Sequence, residues 1–404
     1  MLTTLFQDVP EVPADAIIAI SDAFFKDCRK NKVNMTIGNY LGADGKIPLQ
    51  STVEKAESRL LARKAVHSYL PMIGLKGYLR AVERIAFGEQ SSVVSQSRVA
   101  SCQTIGGTGA LFLAGVLAQR TLGMVHAVVS APTWGNHIKL FERAGLTVGK
   151  YRYWDAERQS LNFDGMMTDL DALPEKTLVL LQVCCHNPTG LDLSHEQWQR
   201  VCEVILRRNL VACLDMAYQG FAQDLESDAY PVRLFADSGV DFMLAVSLSK
   251  GFSLYGERVG SLHVVTQNVA ERDAVLSQLR RHVRELYSNP PRHGAMIVEE
   301  ILSDPELERQ WRQEVQEMCD RVRQMRIGLA QEGLKQGVNL DFVVRQHGIF
   351  SFTGFTPAEM QFLRSKHGVY GIDSGRIAMA GLTEPDLAHV AAAFADVIKQ
   401  RNQN

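Results

Sequence analysis

Apolar positions recur with two different rhythms along this chain. Between about residues 95 and 265, short continuous apolar runs alternate with segments of helical spacing. The runs at 125–130, 177–183, 210–215, 242–247 and 260–265 have the length and composition of buried strands, and 110–117 and 196–207 those of helices. Strands apolar along their whole length and separated by helices predict a mainly parallel sheet covered on both faces. Ligands of such sheets sit beyond the carboxyl ends of the strands. Further on, Trp311, Val315, Met318, Val322 and Met325 recur at helical spacing and predict a long helix over 304–331. Strand-like stretches at 342–344 and 349–352 and a closing helix at 384–400 predict a second, smaller unit. The helical pattern at 15–30 is expected to pack with it.

Length supports two units, because 404 residues exceed what one hydrophobic core usually serves. The 46% hydrophobic and 22% charged content is that of an ordinary globular chain. A formal net charge of -2 provides no field to attract nucleic acid or an anionic membrane, so small-molecule chemistry is expected. No apolar run reaches membrane-spanning length, and the opening Met1 to Asp8 lacks the basic-then-apolar order of a signal peptide, so a cytoplasmic location is expected. Seven cysteines without a Cys-x-x-Cys pair are expected to be small buried hydrophobes in a reducing compartment. Adjacent Cys184 and Cys185, read as strand residues, point to opposite faces, and no metal site is expected.

The candidate chemistry gathers at the ends of the apolar runs. Lys250 follows the strand at 242–247, in Ser247-Leu248-Ser249-Lys250, where desolvation disfavours its charged form and leaves an amine able to attack an aldehyde. Alone, it is as well read as a solvated strand end. Ser247, Ser249 and Arg258 are close in sequence and suit a phosphate. Gly106-Gly107-Thr108-Gly109 precedes the helical run beginning at Ala110 and is read as a turn presenting free N–H groups to an anion, or as a structural turn. Asp215, at a strand end, can pair with a protonated pyridine nitrogen or cap a helix, and Tyr218 follows three residues later. Asn187, in His186-Asn187-Pro188-Thr189-Gly190, can donate to a ring oxygen or stabilise the turn. Trp134 can stack on a planar ring or fill the core. Arg376, in Ser374-Gly375-Arg376, and Arg284, before Tyr287-Ser288-Asn289-Pro290-Pro291, can each hold a carboxylate or be surface charges.

Taken in order, Gly-Gly-Thr-Gly, Trp134, His-Asn-Pro-Thr-Gly, Asp215 with Tyr218, Ser-x-Ser-Lys250, Tyr-Gly-Glu-Arg258, Tyr-Ser-Asn-Pro-Pro and Ser-Gly-Arg376 resemble the fold-type I aminotransferases of the aspartate and aromatic amino-acid branch over nearly the whole chain. The resemblance implies pyridoxal phosphate as cofactor, and an α/β large domain with a mainly parallel seven-stranded sheet beside a smaller α+β domain. It implies an arm at 1–11, a small domain at 12–47 and 317–404, and a large domain at 48–316. Lys250 is implied to bind the cofactor covalently and to carry the proton from the substrate α-carbon. Gly107, Thr108, Ser247 and Arg258 are implied to hold the phosphate. Asp215, backed by His137, is implied to pair with the ring nitrogen, Asn187 and Tyr218 with the ring oxygen, and Trp134 to stack. Arg376, with Asn187 and the Gly38 backbone, is implied to grip the α-carboxylate.

A homodimer with shared sites is also implied, with Tyr69 reaching the partner's phosphate and Arg284 the partner's distal substrate carboxylate. The implied reaction is transamination of aromatic amino acids with 2-oxoglutarate, overlapping with aspartate. An aspartate-preferring or otherwise specialised transaminase is the alternative. Three positions depart from the pattern. Gln182 stands where relatives carry a histidine that tunes the aspartate, Asn39 replaces an aliphatic pocket residue, and Asp373 is expected to alter the grip of Arg376.

Overall fold

The computed structural model describes residues 4–12, 16–64, 66–401 and 403. Its central sheet comprises β1 (Val99–Ile105), β2 (His126–Ala131), β3 (Thr147–Arg152), β4 (Leu178–Gln182), β5 (Val211–Met216), β6 (Phe242–Ser247) and β7 (Val259–Val265), in the order β1-β7-β6-β5-β4-β2-β3. β7 is antiparallel to both its neighbours, and the other pairings are parallel. This is the expected α/β architecture, with the apolar runs at β2, β4, β5, β6 and β7 displaced by at most one residue at either end.

Apolar patterning does not reveal β1 or β3. β3 lies at the sheet edge with mostly exposed side chains, so it has no buried run to display. β1 is buried but carries Ser101, Gln103 and Thr104. Gln103 donates to the Pro291 carbonyl at 2.6 Å and Thr104 to the Gly106 carbonyl at 2.9 Å, and such partners make polar residues tolerable inside a sheet.

One face of the sheet packs against the helix Gly106–Val116 through Leu111, Leu113 and Ala114. The other packs against the helices Lys76–Phe87 and His195–Arg207. A separate apolar cluster gathers Met35, Phe350, Ile377 and the helix Leu387–Arg401. The long helix Pro305–Lys335 joins the two assemblies: Leu307, Trp311 and Val315 belong to the sheet core, and Met318, Val322 and Met325 to the second cluster. Asp304 starts this helix by accepting from the Glu306 and Leu307 N–H groups. The N-terminal segment reaches the second cluster too, since Val33–Asn34 pairs in parallel with Val369–Tyr370.

Several expected elements change form. The stretch at 342–344 is helical, not a strand: Phe342–Arg345 forms a turn in which Phe342 and Val343, adjacent in sequence, are both buried, a pattern that a half-buried strand does not produce. The first helix is Ala16–Lys26, ending short of residue 30, where Lys32 donates to the Phe24 and Asp27 carbonyls and closes the helix end. Asp15 and residues 1–3 of the expected arm lie outside the described residues. The helix at the glycine run begins at Gly106 and not at Ala110, so the glycines form its first turn.

Cys184 and Cys185 lie beyond the end of β4, with Cys185 at φ +53°, so strand alternation does not separate them. Their sulfurs and an Asp228 carboxylate oxygen lie within 4.8 Å of one another. Burial pushes the Cys185 thiol well up, and the Asp228 carboxylate already accepts from the Gly220, Ala222 and Gln223 N–H groups. Of the seven cysteines, Cys28 is exposed and the other six are buried.

Candidate active site

A cavity of about 290 Å3 opens beyond the carboxyl ends of β4, β5 and β6. At one end the chain leaves β1 at Ile105 and turns directly into the helix Gly106–Val116, aiming that helix's free N–H groups at the cavity. Gly106 has φ +64°, and a Cβ there would meet the Arg258 guanidinium at 2.4 Å. A Cβ on Gly107 would sit 2.8 Å from Ser247 Cβ. The absence of side chains thus brings the positive helix start, Arg258 and Ser247 together, with Thr108 and Ser249 alongside. The Ser247 hydroxyl donates to Ser249 at 3.3 Å. A cation and a helix N-terminus facing each other form a receptor for a phosphate dianion.

The floor is set by register. Gln182, Asp215 and Ala245 lie side by side on β4, β5 and β6, which puts a buried carboxylate beneath the cavity centre. His137 Nε2 lies 3.2 Å from Asp215 Oδ2, and the Thr133 hydroxyl lies 2.7 Å from His137 Nδ1, so the carboxylate is braced from behind. Trp134 forms a wall, edge-on to His137 at 5.1 Å. Lys250 keeps some surface open to the cavity, with its amine 4.6 Å from the Tyr218 ring centroid. Burial pulls its pKa down to about 8, against the opposing charge of Asp215, and Arg258 adds to the lowering. Burial pushes the Tyr218 phenol up, so it is a donor at neutral pH.

Arg376 closes the opposite end. It is buried, donates to the Thr36 carbonyl at 2.8 Å, stands 3.5 Å from Asn187 Oδ1 and lies 4.1 Å over the Phe350 ring. Ile37, Gly38 and Asn39 line the same wall. The polar set therefore fits a planar, phosphate-bearing pyridine aldehyde: an anion cradle, a buried carboxylate, hydrogen-bond donors and a depressed-pKa amine, with an arginine at the far end whose chemistry suits a carboxylate.

The structure thus brings Lys250, Gly107, Thr108, Trp134, His137, Asn187, Asp215, Tyr218, Ser247, Arg258, Gly38 and Arg376 to one cavity. Tyr69 and Arg284 do not line it. Tyr69 is 91% exposed, and Arg284 donates to Ser288 at 2.5 Å on the surface. Asp373 pairs with Arg364 at 2.6 Å. Gln182 makes no bond to Asp215. Its amide instead accepts from the Asn187 N–H at 2.8 Å and donates to the Asn187 carbonyl at 3.1 Å. Phe350 also lines the cavity, with no signal in the sequence, and Tyr255, whose hydroxyl accepts from the Tyr40 N–H at 2.9 Å, is expected only as part of the Tyr-Gly-Glu-Arg258 motif. An aromatic residue in an apolar stretch gives no signal beyond core packing.

A profile of the family described as aminotransferase class I and II matches residues 30–394. The chain is 42% identical to an aspartate aminotransferase of Pseudomonas aeruginosa and 42% identical to a tyrosine aminotransferase of Klebsiella pneumoniae, each over 98% of this chain and 100% of the relative. Among solved structures, an aromatic-amino-acid aminotransferase from Burkholderia pseudomallei, covalently bound to pyridoxal phosphate, superposes with a TM-score of 0.96. It has 42% identity, and the match covers 98% of this chain and 100% of that one.

Proposed function

The chain belongs to the class I and II aminotransferases, and from that premise we propose that it transfers amino groups from aromatic amino acids to 2-oxoglutarate, with overlapping activity on aspartate, using pyridoxal phosphate held in the cavity described above. The observation that carries this reading is the polarity of the cavity, with an anion cradle at Gly107, Thr108, Ser247 and Arg258, an amine midway at Lys250, and Arg376 opposite. When bound, the cofactor supplies a conjugated ring that accepts the electron pair left as the substrate α-carbon loses its proton.

The protein's own groups do the rest. Ser247, Arg258 and the N–H groups of Gly107 and Thr108 hold the phosphate. Asp215, braced by His137, would hold a proton on the ring nitrogen, while Asn187 and Tyr218 would donate at the ring oxygen. Trp134 stacks on the ring. Lys250 would anchor the cofactor through its amine and, as a free amine, would take the proton from the substrate α-carbon; an amine near pKa 8 is a competent base close to neutral pH. Arg376, with Asn187 and the Gly38 backbone, orients the α-carboxylate, and the Phe350 ring holds the guanidinium flat.

Tyr69 and Arg284, both away from their own subunit's cavity, complete the site of a second copy in this reading, the first at the phosphate and the second at the distal substrate group. Exposed apolar residues Leu5, Phe6, Val9 and Val12 along the N-terminal segment support an arm that embraces the partner. No helix among the described residues is long and apolar enough to cross a membrane, and we place the enzyme in the cytoplasm. Single-turnover spectroscopy of the holoenzyme with tyrosine, phenylalanine, aspartate, glutamate and basic amino acids is the test. The cofactor's absorbance should convert to that of its amine form, fastest with an aromatic donor. Release of ammonia or carbon dioxide without that conversion would refute transamination.

A further inference from the structure

Asn187 sits in a loop whose backbone is held from two sides. Asp192 accepts from the Cys185 N–H at 2.8 Å through Oδ2 and from the His186 N–H at 2.9 Å through Oδ1. The next N–H, that of Asn187, is taken by Gln182 Oε1 at 2.8 Å, and Gln182 Nε2 returns a bond to the Asn187 carbonyl at 3.1 Å. Three consecutive N–H groups are thereby satisfied by side chains at the point where Cys185 adopts φ +53° and the chain leaves β4. Only a side chain with both a donor and an acceptor at its tip can bond both backbone atoms of Asn187 as Gln182 does.

We propose that Gln182 and Asp192 are positioning residues for this site, fixing the Asn187 backbone so that its side chain stays aimed at the ring oxygen and at Arg376. The inference rests on the reading of Asn187 as a cofactor and substrate contact. It assigns Gln182 a task different from the tuning of Asp215 expected of a residue at that position, because Gln182 spends both ends of its amide on Asn187 while Asp215 is braced by His137. Asp192 is not in the cavity and acts only through the loop.

The variants separate the contributions. Gln182→Glu keeps the acceptor for the Asn187 N–H and sets a carboxylate oxygen against the Asn187 carbonyl, Gln182→Met removes both bonds, and Asp192→Asn replaces one acceptor oxygen by a donor. In the apoprotein, amide hydrogen exchange at Asn187 should speed up about tenfold or more in Gln182→Met, and at Cys185 or His186 in Asp192→Asn. In the holoenzyme, the pH midpoint of the cofactor's visible absorbance should move in the direction produced by Asn187→Ala. Adding Gln182→Met to Asn187→Ala should then produce little further shift, because the two act through one contact. Fully additive shifts, or a midpoint unmoved by Gln182→Met despite faster exchange, would overturn the proposal by reducing Gln182 to a structural residue. If Asn187→Ala itself leaves the absorbance unchanged, the reading of Asn187 as a ring contact falls, and the clamp then stands or falls on exchange alone: protection unchanged in both variants refutes it.

Discussion

At the scale of single residues, Lys250 carries a measurable signature. Its pKa is lowered from 10.5 to about 8 by burial, so in the apoprotein the folded state holds the proton less tightly than the unfolded chain does. Between those two values the unfolded state binds more protons, and stability therefore rises with pH across that window, by at most about 3 kcal/mol. Denaturant titrations of apoprotein at pH 8 and pH 10 should show the rise, and Lys250→Met should remove it. The rate at which pyridoxal phosphate reconstitutes apoprotein should climb around pH 8, well below the range of an ordinary lysine. The two arginines separate by substrate. Arg376→Lys loses a planar fork and should lower kcat/KM for aromatic and acidic donors alike by about 10- to 100-fold, the worth of a charged hydrogen bond. Arg284→Ala should lower it for aspartate while leaving phenylalanine within a few-fold.

Among the elements, the contact between β7 and the start of the helix Gly106–Val116 is the tightest constraint on the cradle. A Cβ on Gly260 would lie 2.4 Å from the Gly106 carbonyl carbon, and backbone cannot swing aside as a long side chain can. Gly260→Ala should cost about 1–3 kcal/mol in a denaturant titration, as overpacking does, and should also weaken pyridoxal phosphate binding, because the helix start must retreat. A loss of stability with cofactor affinity unchanged would show that the cradle does not depend on this approach. The same contact accounts for a limit of pattern reading. The glycine run was legible as an anion-binding turn, but its place inside the helix was not, since Gly106 gains its conformation from β7 and Arg258, both distant in sequence. Phe342 and Val343 are helical where a strand is expected for a related reason: a short apolar run has no periodicity of its own, and packing decides its form.

For the whole molecule, the proposed sharing of sites between two copies makes a quantitative prediction. Mixed and re-dimerised, Lys250→Ala and Arg284→Ala subunits should give hybrids in which one site combines an intact Lys250 with an intact Arg284 of the partner subunit. With random pairing, about a quarter of wild-type aspartate activity should return, although Lys250→Ala alone is inactive and Arg284→Ala impaired. No recovery above the unmixed variants would confine each site to one chain. The sequence by itself determined five of the sheet's seven strands, the order of the chemical groups along the chain and, through the resemblance their motifs carry, the kind of cofactor they suit, because an apolar run and a short motif are both local. Only the tertiary structure decided which groups meet. Register alone sets Asp215 beside Gln182, the paired Val33–Asn34 and Val369–Tyr370 bring Gly38 and Arg376 into one wall, loop geometry beyond β4 turns Gln182 to Asn187, and the loop before Arg376 turns Asp373 to Arg364. Those outcomes depend on strand register, on pairing between distant segments and on loop conformation, none of which hydrophobic period and motif spacing encode.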